Sequence, residues 1–109
     1  MRTLKFIIDG QIIKPDPSCD FSNLIPGSEG YLKAEFKFSP EWTGTSKVVG
    51  FYSMMGREYP PQVLNINNVC DIPQEALKHE KFKIQLFGLR GADFKITTNK
   101  LVVSQNGGK

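Results

Sequence analysis

The stretch that decides the fold is Leu32-Lys33-Ala34-Glu35-Phe36-Lys37-Phe38. Apolar side chains stand at every second position, and charged side chains fill the positions between them. This period of two is typical of a half-buried antiparallel strand, because successive side chains of a strand point to opposite faces. The same alternation returns in Lys81-Phe82-Lys83-Ile84-Gln85-Leu86, which predicts a second strand of this kind.

The apolar parity of these two strands defines the candidate core. We expect Phe36, Phe82 and Ile84 to be buried between two sheets, whereas Lys37, on the opposite parity, should face solvent. Two further core-facing runs, Phe94 to Thr98 and then Leu101 to Val103, differ in parity. A bulge near Asn99 would absorb that difference.

Turn residues divide the remainder of the chain into short strands. The spacing predicts about seven strands, roughly 8–12 residues apart, and one short helical turn near residues 73–78. This pattern indicates an all-β fold, an immunoglobulin-like antiparallel β-sandwich. The length of 109 residues fits a single domain spanning residues 1–109, with an N-terminal hairpin at 4–14 and a flexible tail at 106–109.

The N-terminal hairpin is apolar on both faces. Asp9-Gly10 lies between two β-branched runs and predicts a type I′ turn, which would place Ile7 opposite Ile12. Only one face can serve the core, so Ile7 and Ile12 form a candidate contact surface. Either Phe21, Leu24 and Ile25 of the loop at 15–30 cover it, or another chain does; the list of residues leaves both open.

Composition excludes several classes of protein. Hydrophobic residues make up 39% and charged residues 23%, which excludes a disordered chain, a collagen and a coiled coil. No stretch approaches the roughly 20 apolar residues of a membrane span, and the N-terminus lacks the pattern of a signal peptide. The lysines alternate with core residues along strands, so neither nucleic acid nor membrane is expected as a partner.

The sequence offers little catalytic or metal-binding chemistry. His79, the single histidine, sits in a polar run and is interpreted as a solvated loop residue. Cys19 and Cys70 lack metal-ligand spacing and are expected to be free thiols. Asp16-x-Ser18-x-Asp20 fits local Asx turns better than a calcium loop. We therefore expect no enzyme activity, no cofactor and no metal.

The aromatic residues outside the predicted core are the remaining candidates for binding. They are Trp42, Tyr52 and Tyr59. Trp42, in a turn-rich stretch, is interpreted as a lid over one end of the sandwich, with an anchor for a sugar or a protein as the alternative.

An ordered set of segments carries a resemblance to a known family. The segments are Phe36–Trp42, Ser46–Phe51, Val69–Leu77, Phe82–Gly88 and Ile96–Lys100. In this order they resemble small β-sandwich modules in virion proteins of bacteriophages of Gram-positive hosts. They are similar to the N-terminal domain of the phage baseplate upper protein and to related tail or fibre modules.

The resemblance implies a function. It implies a non-enzymatic structural protein of a bacteriophage particle, in the tail, baseplate or head fibre, acting by protein–protein assembly. The expected location is the virion, assembled in the host cytoplasm, and the expected partners are other virion proteins or further copies of the chain. The alternative is a carbohydrate- or cell-surface-binding β-sandwich module that uses Trp42 and a neighbouring tyrosine on host-surface carbohydrate.

Overall fold

A computed structural model describes residues 2–105, and within them the chain forms two β-sheets. The strands are β1 (Arg2–Asp9), β2 (Ile12–Pro15), β3 (Leu32–Phe38), β4 (Ser46–Tyr52), β5 (Gln62–Val63), β6 (Val69–Asp71), β7 (Lys81–Arg90), β8 (Phe94–Thr97) and β9 (Leu101–Ser104). A 3-10 turn covers Pro40–Trp42, and one helical turn, α1, covers Gln74–Leu77. The all-β prediction and the short helical turn are confirmed. The predicted tail at 106–109 lies outside the described residues.

The strands differ from the prediction in their number and in the direction of one pair. One sheet has the order β2-β1-β3-β6; the other has β5-β4-β7, with β8 and β9 both paired to β7. Within residues 2–105 there are nine strands, where about seven were expected. Among the described strands, β1 and β3 run parallel, with Phe6 opposite Phe36, and the other pairs are antiparallel. The prediction of a wholly antiparallel arrangement was therefore wrong.

The parallel pair follows from the position of β2. Because β2 lies on the outer side of β1, the chain must recross the end of β1 before it enters β3. The connection at 16–31 makes that crossing and is tied to β1: the Arg2 guanidinium donates to the carbonyls of Asp20, Ser22 and Asn23. A crossover connection of this kind delivers a parallel neighbour.

The first hairpin turns one residue later than predicted. Gly10 and Gln11 form the turn, Asp9 lies opposite Ile12, and Ile7 lies opposite Lys14. Only Gly10, at φ +58°, has a positive φ in this turn, as a type II′ turn requires; the type I′ prediction was therefore wrong. The shift moves the pairing by two positions, so the predicted faces are unchanged.

The inward faces of both sheets meet in one hydrophobic core. Phe36 is 3% exposed and Phe82 and Ile84 are fully buried, which confirms the predicted core parity. The rings of Phe6 and Phe36 stack with centroids 5.4 Å apart across the parallel pair. Other members of the core are Leu4, Ile8, Ile13, Leu32, Ala34, Trp42, Val49, Phe51, Leu77 and Leu86.

The predicted bulge is confirmed, and it joins the two sheets. The pairing register along β7 shifts by one residue between β8 and β9. At the shift, the Asn99 N–H donates to the Gln11 carbonyl (3.0 Å), and Asn99 Oδ1 accepts the Ile13 N–H (2.9 Å). One side chain thus links the end of the second sheet to the edge of the first.

We predict that Phe36→Ala lowers the free energy of unfolding by about 3–5 kcal/mol, because it leaves a cavity against the Phe6 ring. Lys37→Ala, on the exposed face of the same strand, should change it by less than about 0.5 kcal/mol. Urea denaturation of both variants measures the difference. Equal midpoints would contradict the register of β3.

Candidate protein-binding surface

The outer face of the second sheet is apolar at one end. Val48 on β4 lies opposite both Val63 on β5 and Phe87 on β7. Val63 is 75% exposed, and Leu89, two residues along β7 from Phe87, is 46% exposed. Ile66, 96% exposed, lines a depression of about 310 Å³ together with Val63. We refer to Val48, Val63, Ile66, Phe87 and Leu89 as the apolar surface.

The apolar surface departs from the pattern of a solvated sheet face. On β7 the outward positions Lys81, Lys83 and Gln85 are polar, as expected for a face in water, but the outward positions beyond them are Phe87 and Leu89. Lys95 stands at the rim, with its Nζ 5.9 Å from the centre of the Phe87 ring. An exposed apolar patch with a polar rim is typical of a protein contact.

A cleft of about 640 Å³ opens where the β1–β2 turn, the 3-10 turn and the β7–β8 hairpin meet. It is lined by Gly10, Gln11, Pro40, Glu41, Arg90, Phe94, Lys95 and Ile96. The Arg90 guanidinium lies 4.2 Å from the centre of the Phe94 ring and donates to the Thr43 carbonyl. Hydrogen bonding to Ser39 lowers the pKa of Glu41, so its carboxylate is ionised at neutral pH. The cleft therefore offers one aromatic ring with both signs of charge.

Trp42 lies beneath this end of the fold and is fully buried. Its indole N–H donates to the Gly10 carbonyl (2.8 Å), and its ring lies 5.1 Å from that of Phe38. The side chain packs so closely on β7 that a Cβ at Gly88 would stand 2.7 Å from it. This burial fits the interpretation of Trp42 as a lid over one end of the fold. The alternative, a binding anchor, was wrong, because a buried ring that holds a turn has no surface left for a ligand.

The two candidate tyrosines lie elsewhere. Tyr59 is 8% exposed and stacks on the imidazole of His79, with ring centres 6.1 Å apart. Tyr52, on the outer face four residues along β4 from Val48, carries Lys100 Nζ 4.3 Å above its ring. Burial and the nearby Glu58 carboxylate raise the pKa of Tyr52. Because Trp42 and Tyr59 are buried, Trp42, Tyr52 and Tyr59 do not form a common binding surface.

The outer face of the first sheet holds Ile7 and Ile12. Ile12 is 53% exposed, and Ile7 is partly exposed between Lys14 and Lys37. The loop does not cover them: Phe21 packs edge-on against the core ring of Phe6, and Leu24 is also buried in the core. Ile25 is 62% exposed. The alternative in which the loop at 15–30 covers Ile7 and Ile12 was therefore wrong. Both residues remain candidates for a contact with another chain.

The other titratable candidates have local roles. Asp16 accepts the N–H and hydroxyl of Ser18, and Asp20 those of Ser22, which confirms the predicted Asx-type turns and lowers the pKa of both carboxyls. Burial raises the pKa of the Cys70 thiol to about 12. His79 is exposed, as predicted. Residues 2–105 contain no group of three His, Cys, Asp or Glu side chains that could hold a metal ion.

Comparison with known proteins finds no family model, no curated protein and no solved structure that matches this chain. Within residues 2–105, no helix has the length and apolarity needed to cross a membrane.

The sequence contained a signal for the apolar surface that sequence reasoning missed. Phe87 and Leu89 have the parity of Lys81 and Lys83, so the outward face of β7 visibly turns apolar toward its end. The neighbours Val63 and Ile66 could not be added, because a two-residue strand and a turn give no parity to read.

We predict that Gly88→Ala destabilises the fold by about 1–3 kcal/mol, because Trp42 is buried and hydrogen-bonded and cannot yield to the new methyl group. Gly50→Ala is the matched control: its Cβ would meet the hydroxyl end of the Tyr52 side chain, which is partly exposed and therefore has room to shift. Gly50→Ala should cost less than about 1 kcal/mol. Thermal unfolding compares the two, and an equal loss would contradict the anchoring role of Trp42.

Proposed function

We propose that this chain is a non-enzymatic structural protein of a bacteriophage particle and acts by protein–protein assembly. The observation that carries the assembly role is the apolar surface, whose exposed valine, isoleucine and leucine side chains suit contact with another protein. The resemblance of the ordered segments to phage virion modules supports the proposal that the chain belongs to a phage particle. The proposed partners are other virion proteins or further copies of the chain, and the proposed location is the virion.

We also propose that the two sheets form an immunoglobulin-like sandwich. β3 and β6 pair in one sheet, as strands B and E do in that fold. β4, β7 and the β8–β9 ribbon occupy the places of strands C, F and G in the other. The parallel β1 and the added edge strand β2 depart from that scheme.

The second candidate function is a carbohydrate- or cell-surface-binding module. The cleft favours it, because Phe94 offers a ring face while Glu41 and Lys95 offer polar contacts. This site replaces the one expected at Trp42. Loss of binding to host cell-wall polysaccharide in Phe94→Ala, with binding kept in Met55→Ala outside the cleft, would support it.

The virion assignment is tested on purified phage particles. We predict that mass spectrometry finds the wild-type chain in the particle, and that Val63→Glu lowers its copy number at least about tenfold, since a charge would be buried in the contact. Met55→Glu, which places the same charge at a 94%-exposed position away from the apolar surface, should leave the copy number unchanged.

Two results would contradict this account in different ways. Absence of the wild-type chain from the particle would refute the virion role. A normal copy number for Val63→Glu, with circular dichroism showing that the variant is folded, would refute the apolar surface as the contact.

A further inference from the structure

The outer edge of β9 is open. Gln105 N–H donates to the Glu80 carbonyl (2.5 Å), which fixes the phase of the antiparallel ladder between β7 and β9. Since hydrogen-bonded and non-bonded pairs alternate in such a ladder, Val103 directs its backbone groups toward β7, whereas Val102 and Ser104 direct theirs away. No residue within 2–105 bonds to the outward N–H and C=O groups of Val102 and Ser104.

Two other sheet edges, those of β5 and β2, are protected. β5 has only two residues and follows Pro60 and Pro61. β2 ends at Pro15, and its Ile13 N–H is taken by the Asn99 side chain. β9, by contrast, reads Leu101-Val102-Val103-Ser104, with neither a proline nor a charge to deter a strand from pairing with it.

A groove of about 290 Å³ runs beside this open edge. β9 forms one wall, and Phe6, Pro15 and Phe21 form the other. The sheets are joined by Asn99 near one end of the groove. Pro15 has no N–H to donate, so a strand in the groove would pair with β9 and place its inward side chains against Phe6 and Phe21.

The outer face beside β9 is basic. Lys83 lies opposite Val102 and Lys81 lies opposite Ser104, while Lys100 immediately precedes the strand. The outward positions of β7 from Lys81 to Gln85 and those of β9 include no acidic residue. A strand added about 5 Å beyond β9 would have its outward side chains within reach of Lys81 and Lys83, so carboxylates suit those positions.

We propose that the open edge of β9 accepts an extended segment of a partner protein in which apolar and acidic residues alternate. The segment adds a strand to the second sheet, with its apolar side chains in the groove and its carboxylates toward Lys81 and Lys83. This mode of binding is β-strand addition, in which main-chain hydrogen bonds supply affinity and alternate side chains supply specificity. It uses neither the apolar surface nor the virion assignment.

The probe is a fluorescently labelled eight-residue peptide of alternating valine and glutamate. Val102→Pro removes one outward donor but no bond to β7, and Val102→Thr keeps that donor at the same position. We expect Val102→Pro to weaken the peptide about five- to tenfold in fluorescence anisotropy, and Val102→Thr to leave it within about twofold. Thermal unfolding verifies that both variants are folded. Hydrogen exchange of the wild type should show new protection at the Val102 and Ser104 amides on peptide binding.

A peptide with lysine in place of glutamate supplies the charge control, and its affinity should fall more than about tenfold. Equal binding by Val102→Pro, or equal binding of the lysine peptide, would overturn the proposal. So would protection of the Val102 and Ser104 amides in a dimer of the wild type without peptide, since the occupant would then be a second copy of the chain.

Discussion

The fold depends on a one-residue bulge between β8 and β9 that is held by Asn99. The extra residue changes the parity of the last strand, so that Thr98 and Val103 both face the core although an odd number of steps separates them. At the bulge, Asn99 also bonds to the first hairpin. Its N–H donates to the Gln11 carbonyl in the turn, and its Oδ1 accepts the Ile13 N–H of β2. The Ile13 N–H on the edge strand β2, which would otherwise be free, is thereby hydrogen-bonded. The same bond fixes the two sheets to each other at one corner.

The position of that corner determines which surfaces the molecule offers. On the β8 side, the β1–β2 turn meets the β7–β8 hairpin around the cleft. On the β9 side lie the groove and the free backbone edge of β9. The apolar surface lies on neither side but across the outer face formed by β5, β4 and β7. Together with Ile7 and Ile12 on the outer face of the first sheet, these regions give the described residues four candidate regions for contact around one small core.

The alternation of apolar and charged residues predicted the part of the fold that depends on burial. Phe36, Phe82 and Ile84 lie where their parity placed them, and the parity change after Thr98 located the bulge. Parity carries no information about strand direction, so the parallel pairing of β1 with β3 was missed. Parity also cannot predict the burial of a residue in a turn. Trp42 lies in such a turn and is buried, with its indole N–H bonded to Gly10, which is distant in sequence. The candidate binding surfaces depend on which strands are neighbours in the sheet. Parity does not give strand order, so the sequence could not predict these surfaces.

The most direct test of the corner is the hydrogen exchange of the Ile13 amide. Ile13 points its N–H away from β1, so its only acceptor within residues 2–105 is Asn99 Oδ1. We predict that this amide is protected in the wild type and exchanges at least about fivefold faster in Asn99→Ala, as expected for the loss of about 1 kcal/mol. The Val103 amide, which bonds to β7, should stay protected in both proteins. An unchanged Ile13 rate in the variant would contradict the claim that Asn99 joins the two sheets.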